Sequence, residues 1–412
     1  MRSNPKRIFV AAAIAACIVT ILSPAARADE TRLHIVPQPK QAVFTGGAFE
    51  WKKGVCIALT VPKDATQRLA AQQIREEVRR DTGFDAPVKS AAAAERCAAS
   101  VLLGIPAKNK TARAAAARYG VAGAPALSKP EGYALVIGRG GILLAGADSD
   151  GLFWAAQSLK LIVRADRSGR SIPAVRIGDW PDFRFRGVEL DVSRGPMPND
   201  ADMLRTVRRL SELKINKLTL YIEDVFCFKS HPDIPPAGGC FTARQIRALV
   251  AYSKQYHIEL IGGLQSFGHE EKLLSKPRYK PLAEQQGHPS VLSPANPGTY
   301  KLLADLYAEI VPLFESKLFV IGCDETGGLA EEQSRAMAEK IGMEGVYAGH
   351  IAKLEKMLAP YGKRPVMWAD IALQHPRILD LLPKNAVMMP WEYHVQKSFD
   401  AWLRPLSEKG YA

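Results

Sequence analysis

A chain of 412 residues, 47% of them hydrophobic and 24% charged, has the length of two folded domains. Its formal charge is +13, but the basic residues are spread along the chain instead of gathered in a tract. That pattern argues against a nucleic-acid binder and says nothing specific about a substrate.

The first residues read as an export signal. Arg2, Lys6 and Arg7 form a basic start, residues 8–22 an apolar core, and Ala26-Arg27-Ala28 a cleavage pattern, so the mature chain is expected to begin at Asp29. Ile14-Ala15-Ala16-Cys17 also resembles a lipoprotein box, an alternative that would lipidate Cys17. No other stretch is long and apolar enough to span a bilayer, so no stable membrane insertion is expected. Four positive charges lie in the signal, which leaves +9. The mature protein is expected in the periplasm or outside the cell.

Residues 29–178 read as a smaller α+β domain. Extended segments are expected at 49–51, 55–59 and 101–104, and helices at 65–80 and 150–163. Residues 133–137 and 142–145 flank Gly138-Arg139-Gly140-Gly141, a hairpin turn in preference to a phosphate loop, since no helix opens after it. Residues 108–126 are rich in Ala, Lys and Arg and read as an exposed helix or loop.

A turn-rich boundary at 177–182 precedes a change of pattern. From 179 to 412 short apolar strands alternate with amphipathic helices. Strands are expected at 187–192, 218–222, 258–264, 318–323, 365–368 and 386–389. Such βα repeats argue for a parallel (β/α)8-type barrel. Six strands are read where a closed barrel has eight, so the expectation is an α/β protein, incomplete at its C-terminus.

Five cysteines follow the signal. Cys56 with Cys97 and Cys227 with Cys240 are the plausible disulfide pairs. Cys323 is then left over, as a buried inert thiol or a nucleophile. No metal-ligand spacing is present, and neither metal nor cofactor is expected.

The strand at 318–323 ends in Asp324-Glu325. The C-terminal rim of a parallel barrel is where its chemistry sits, and two carboxylates there suggest cleavage of a glycosidic bond. An isolated Asp-Glu pair is also a common surface turn, so the flanking motifs decide. They are Phe185-Arg186-Gly187-Val188-Glu189-Leu190-Asp191-Val192-Ser193-Arg194, Gln265-Ser266-Phe267-Gly268-His269, Ile321-Gly322-Cys323-Asp324-Glu325 and Met367-Trp368-Ala369-Asp370. Together they resemble the glycoside hydrolase family 20 β-N-acetylhexosaminidases, and the region around Val36-Pro37-Gln38-Pro39 resembles the family's accessory domain.

The resemblance implies an exo-acting enzyme that removes terminal β-linked GlcNAc or GalNAc from an amino-sugar glycan. The substrate's own acetamido oxygen would attack, Glu325 would be general acid and then base, and Asp324 would orient the acetamido group. Arg186 would grip sugar hydroxyls, against the alternative of an ion pair with Asp191 or Glu189. His269 would tune the acid, and Trp368 would wall the acetamido pocket, with Trp391 a second aromatic. Asp191, Glu223 and Asp370 would support the site. The family's seventh and eighth strands, which carry further sugar-binding groups, are not read here. A catalytically weak carbohydrate-binding protein is therefore the second reading.

Overall fold

The protein is described from a computed structural model covering residues 33–166, 169–237 and 239–411. The expected export signal, with Cys17, lies outside the described residues.

The N-terminal sheet contains β1 (Gln41–Glu50), β2 (Val55–Leu59), β3 (Val88–Ser90), β4 (Ala99–Gly104), β5 (Tyr133–Gly138), β6 (Gly141–Gly146) and β7 (Ser171–Asp179), in the order β1-β7-β5-β6-β4-β2-β3. The glycine-rich piece is the turn between antiparallel β5 and β6, as its sequence implies. Helices Ala65–Thr82 and Ser149–Ala165 bury Ile74, Val78, Trp154 and Leu159 against one face. Asp64 caps the first of these by accepting from the Gln67 N–H at 2.8 Å, and Gly83 ends it at φ 75°. The Ala-rich segment is helix Lys110–Arg118, and its alanines Ala115 and Ala116 pack on the other face with Ala58 and Val136. It is therefore not simply exposed: small side chains let the helix approach the sheet. Of β1 only the end, at 49–50, was read as extended, and β7 was not read. β1 carries Gly46 and Gly47 in the left-handed region, which breaks the alternation a strand shows, and β7 runs into the expected domain boundary.

The second sheet is parallel throughout. It contains β8 (Gly187–Asp191), β9 (Lys217–Tyr221), β10 (Glu259–Gly263), β11 (Leu318–Gly322), β12 (Arg364–Trp368) and β13 (Val387–Met389), each beside its neighbour in sequence. Parallel neighbours require crossovers, and helices Asp200–Glu212, Ala243–Gln255, Pro297–Ile310 and Arg335–Leu358 supply four of them. Thr242 and Gln245 form a full capping box on the second. The fourth consists of two helical pieces joined at a non-helical Gly342 with φ 76°. Leu218, Leu220, Leu260, Phe319, Ile321 and Met367 face the helices. Ile261, Val320 and Val366 form a separate small cluster on the opposite, concave side. These are six strands of a (β/α)8-type barrel preceded by an α+β domain.

The domains meet at the N-terminal ends of the barrel strands. Arg186 donates to Glu131 at 2.5 Å and to the Lys214 carbonyl at 2.8 Å. The buried Lys214 ammonium pairs with Asp179 and donates to Tyr133, both at 2.8 Å. His257 is hydrogen-bonded to Asp150 and stacks on Phe153. Two disulfides, Cys56–Cys97 and Cys227–Cys240, join the pairs read from sequence, and Cys323 is a buried free thiol. Among the described residues no helix is long and apolar enough to cross a membrane.

Candidate active site

The turn after β11 builds the site. Gly322 and Cys323 both take left-handed backbone, at φ 69° and 72°, and Glu325 follows at 47°. A Cβ at Gly322 would lie 1.5 Å from Gln265 Oε1 and would displace that side chain, and the left-handed backbone itself favours glycine. Tyr347 OH donates to the Cys323 carbonyl at 2.7 Å and holds the bend. In the loop after β10, Gly268 lies so close that a Cβ there would sit 2.3 Å from the Asp324 carbonyl oxygen, and His269 is again left-handed at φ 59°. Three non-glycine residues in this costly region converge on one place, a pattern typical of functional sites.

His269 joins the two acids. Its Nε2 lies 3.0 Å from Asp324 Oδ2 and 3.5 Å from Glu325 Oε2. The hydrogen bond to Asp324 raises the imidazole pKa, against the opposing effect of burial, and the charges of Asp324 and Glu325 add to it. Asp324 is nearly buried and its Oδ1 has no partner, whereas the Glu325 side chain is 58% exposed. One acid is thus fixed with a free acceptor, and the other faces incoming ligand. Asp370 accepts the Glu325 N–H at 3.1 Å and orients it, while its own Oδ1 is buried without a partner. Trp368, half-buried, ends β12 two residues earlier. The Cys323 thiol is pushed up by burial, which disfavours the thiolate a nucleophile needs.

The other side of the mouth is formed by β8 and β9. Arg194 Nε lies 2.7 Å from Asp191 Oδ2 and 3.7 Å from Glu223 Oε1, with its guanidinium 4.4 Å from the centre of the Tyr221 ring. Lys272 reaches Glu223 at 2.9 Å. Asp191 and Trp368 are the last residues of β8 and β12, and Glu223, His269, Asp324, Glu325, Asp370 and Trp391 follow the C-terminal ends of their strands. Arg186 does not. It precedes β8, at the opposite end, and is held there by Glu131. The sequence reading that set it among sugar ligands is corrected on that ground. The missed cation is Arg194, and strand direction was the available signal, because only residues beyond a parallel strand's C-terminus reach the rim.

Glu189 was also missed. It pairs in register with Thr219, which pairs with Ile261, so its carboxyl points to the concave interior. There Oε2 is buried without a partner. Burial, then the charges of Asp324 and Asp191, push this carboxyl up to about 7 against the opposing charge of Arg194. Among the described residues no cluster of His, Cys, Asp and Glu is arranged to hold a metal ion.

The comparisons with known proteins fit this geometry. Glycosyl hydrolase family 20, domain 2, matches residues 32–180, and the Glycosyl hydrolase family 20 catalytic domain matches residues 183–411. The chain belongs to glycoside hydrolase family 20. A beta-hexosaminidase of Vibrio furnissii is 26% identical over 66% of this chain, which spans 51% of that protein. One from Porphyromonas gingivalis is 24% identical over 64% of this chain, which spans 38% of it. The fold of a Flavobacterium johnsoniae chitobiase superposes with a TM-score of 0.73 at 21% identity, over 92% of this chain and 58% of that one. A family 20 exo-β-N-acetylglucosaminidase of Vibrio harveyi, solved with N-acetylglucosamine, gives a TM-score of 0.69 at 19% identity, over 92% and 59%. The family 20 chain described here therefore spans about half the length of these relatives.

Proposed function

We propose that this protein is an exported, exo-acting β-N-acetylhexosaminidase that uses the substrate's acetamido group as nucleophile. The observation that carries the reading is the Asp324-Glu325 pair bridged by His269 at the barrel rim. The beta-hexosaminidase relatives and the N-acetylglucosamine held by the Vibrio harveyi enzyme support a terminal β-linked GlcNAc as substrate, and the proposal extends to GalNAc.

In the first step Asp324 accepts the acetamido N–H and keeps the carbonyl oxygen aimed at C1. That oxygen attacks C1 while the Glu325 carboxyl gives its proton to the glycosidic oxygen. The C1–O bond breaks, the alcohol leaves, and an oxazolinium ion remains beside the Asp324 carboxylate. In the second step Glu325 takes a proton from water, the hydroxide adds to C1, and the C1–O bond of the ring opens to restore the acetamide. Trp368 walls the acetamido pocket, and Arg194, held by Asp191 and Glu223, faces the sugar hydroxyls.

The test is hydrolysis of a chromogenic β-N-acetylglucosaminide beside the matching plain β-glucoside. The acetamido sugar is expected to be cleaved and the plain glucoside to be nearly inert. Equal rates on both would overturn substrate assistance.

A further inference from the structure

We propose that the groove where helices of the two domains meet is an anion-binding site, and that its occupant is a small ligand carrying two or more phosphate groups. The site is separate from the hydrolase chemistry. Every residue that lines it lies on or directly after a helix, away from the loops that form the mouth.

The groove measures about 870 Å³, within the size range of small-molecule sites. Helices Ala65–Thr82 and Ser149–Ala165 of the accessory domain form one side, and Asp200–Glu212 of the barrel forms the other. Six cations line it, Arg80, Lys160, Arg164, Arg205, Arg208 and Arg209, against the three carboxylates Glu76, Glu77 and Glu212. Two of those carboxylates are shared several ways. Glu77 accepts from Arg164 at 2.6 Å and also pairs with Arg80. Glu212 serves Lys160 at 3.3 Å, Arg164 at 2.9 Å and Arg209 at 3.3 Å. Glu76 is exposed. From outside the lining, Asp81 and Asp202 reach Arg80 and Arg205 in solvent-facing pairs, which contribute little. Arg208 has no carboxylate partner among the described residues.

Arg205, Arg208 and Arg209 stand at i, i+3 and i+4, so they share one face of their helix. Like charges at that spacing repel, which weakens the helix unless an anion covers them. The helix dipole accounts for Arg209 in the last turn, but its pull fades within a turn and does not explain Arg205. The floor repeats the imbalance. Gln73 is buried, its Oε1 accepts from Gln157 and Lys160 at 3.0 Å, and its Nε2 has no partner. The groove thus holds more donors than acceptors. Guanidinium forks match oxyanions bidentately. A terminal phosphate gathers up to two charges and three acceptors at one point, which suits cations packed on one helix face. Carboxylates spread along a polysaccharide bring one charge at a time, and a single phosphate would leave much of the groove empty.

The ligand tested is tripolyphosphate, and the readout is the melting temperature of the whole chain. A saturable rise of about 3 °C is expected, because a ligand that binds only the folded state raises stability by mass action. Sodium chloride at the same ionic strength is expected not to reproduce it, and inorganic phosphate at the same concentration to give less than half of it. Arg205→Gln combined with Arg208→Gln is expected to abolish the rise. Without ligand that variant is expected to melt within about 2 °C of wild type, because neither arginine pairs across the domains. Its rate on the chromogenic β-N-acetylglucosaminide is expected to stay within about twofold. No rise in the wild type, a rise matched by sodium chloride, a rise equalled by inorganic phosphate, or one that survives in the double variant would overturn the proposal. The first three outcomes need only the wild-type protein, and none of the four touches the proposed function.

Discussion

Asp324 and Glu325 are adjacent in sequence, yet the left-handed turn gives them different surroundings and so different work. Glu325→Gln removes a proton donor and is expected to cost most on poor leaving groups, with a smaller loss on an activated aryl glycoside. Asp324→Asn keeps the shape but removes the charge beside the oxazolinium, so it is expected to slow both substrate types by about 10²–10³-fold, the scale of one preorganised electrostatic contact. Steady-state rates on the two leaving groups check this, and a leaving-group dependence for Asp324→Asn instead of Glu325→Gln would reverse the roles. Glu189 makes a separate prediction. Burial first, then Asp324 and Asp191, push it up to about 7. Between the ordinary glutamate range and 7 the folded chain binds more protons than the unfolded one, so stability falls as pH rises through that window. Glutamine cannot ionise. Glu189→Gln is therefore expected to melt about 3 °C or more above wild type at pH 8 and close to it at pH 5. An equal difference at both pH values would remove the electrostatic cause.

At the scale of elements, each parallel strand has a structural end and a chemical end, and β8 shows both. Arg186, one residue before it, is locked to Glu131 of the accessory domain, and Asp191 and Arg194, at and beyond its end, face the rim. Arg186→Met is expected to lower the melting temperature by about 5 °C, since it takes from Glu131 its only cation among the described residues, in a poorly solvated interface, and leaves that carboxylate to the neutral donors Trp154 Nε1 and Asn216 Nδ2. Its kcat/KM is expected to stay within about twofold of wild type, because the residue does not reach the mouth. A large rise in KM without loss of stability would return Arg186 to the sugar. The same strand shows what sequence could reveal. Its apolar pattern located it, but which arginine served which end depended on a contact with Glu131, 55 residues earlier. The six barrel strands were legible because buried parallel strands read as short apolar runs between turns. Most of β1 and all of β7 were not, because their pairing is long-range and β1 carries a double-glycine irregularity. Asp324, Glu325, His269 and Asp370 were legible from motifs. Glu189 was not, since a carboxylate inside a strand reads as an outward residue until the register places it on the concave face.

At the scale of the whole molecule, the proposed export and the disulfides bear on one another. Cys227–Cys240 lies within the loop between β9 and helix Ala243–Gln255, the loop that carries Glu223, so it anchors one wall of the mouth. A bridge across a loop of that size contributes on the order of 3 kcal/mol in the chain-entropy account. Cys56–Cys97 ties β2 to the segment before β4. Both bonds need an oxidising compartment to persist. Export with cleavage after Ala28, as proposed, would remove Cys17, and among the described residues Cys323 is the one free thiol and is buried. The protein recovered from its natural compartment is therefore expected to react with no thiol reagent while native, and with one equivalent once denatured. N-terminal sequencing of the same sample is expected to read Asp29-Glu30-Thr31. Expression in a reducing cytosol from Asp29 onward is expected to give the same chain with more titratable thiols and a lower melting temperature. Additional free thiols in the natural protein, or a start at Met1 or at a lipidated Cys17, would count against cleavage and export as read from the first 28 residues. The terminal residue reports the cleavage alone, whereas the thiol count reports both the pairing of the four bridged cysteines and the loss of Cys17 with the signal.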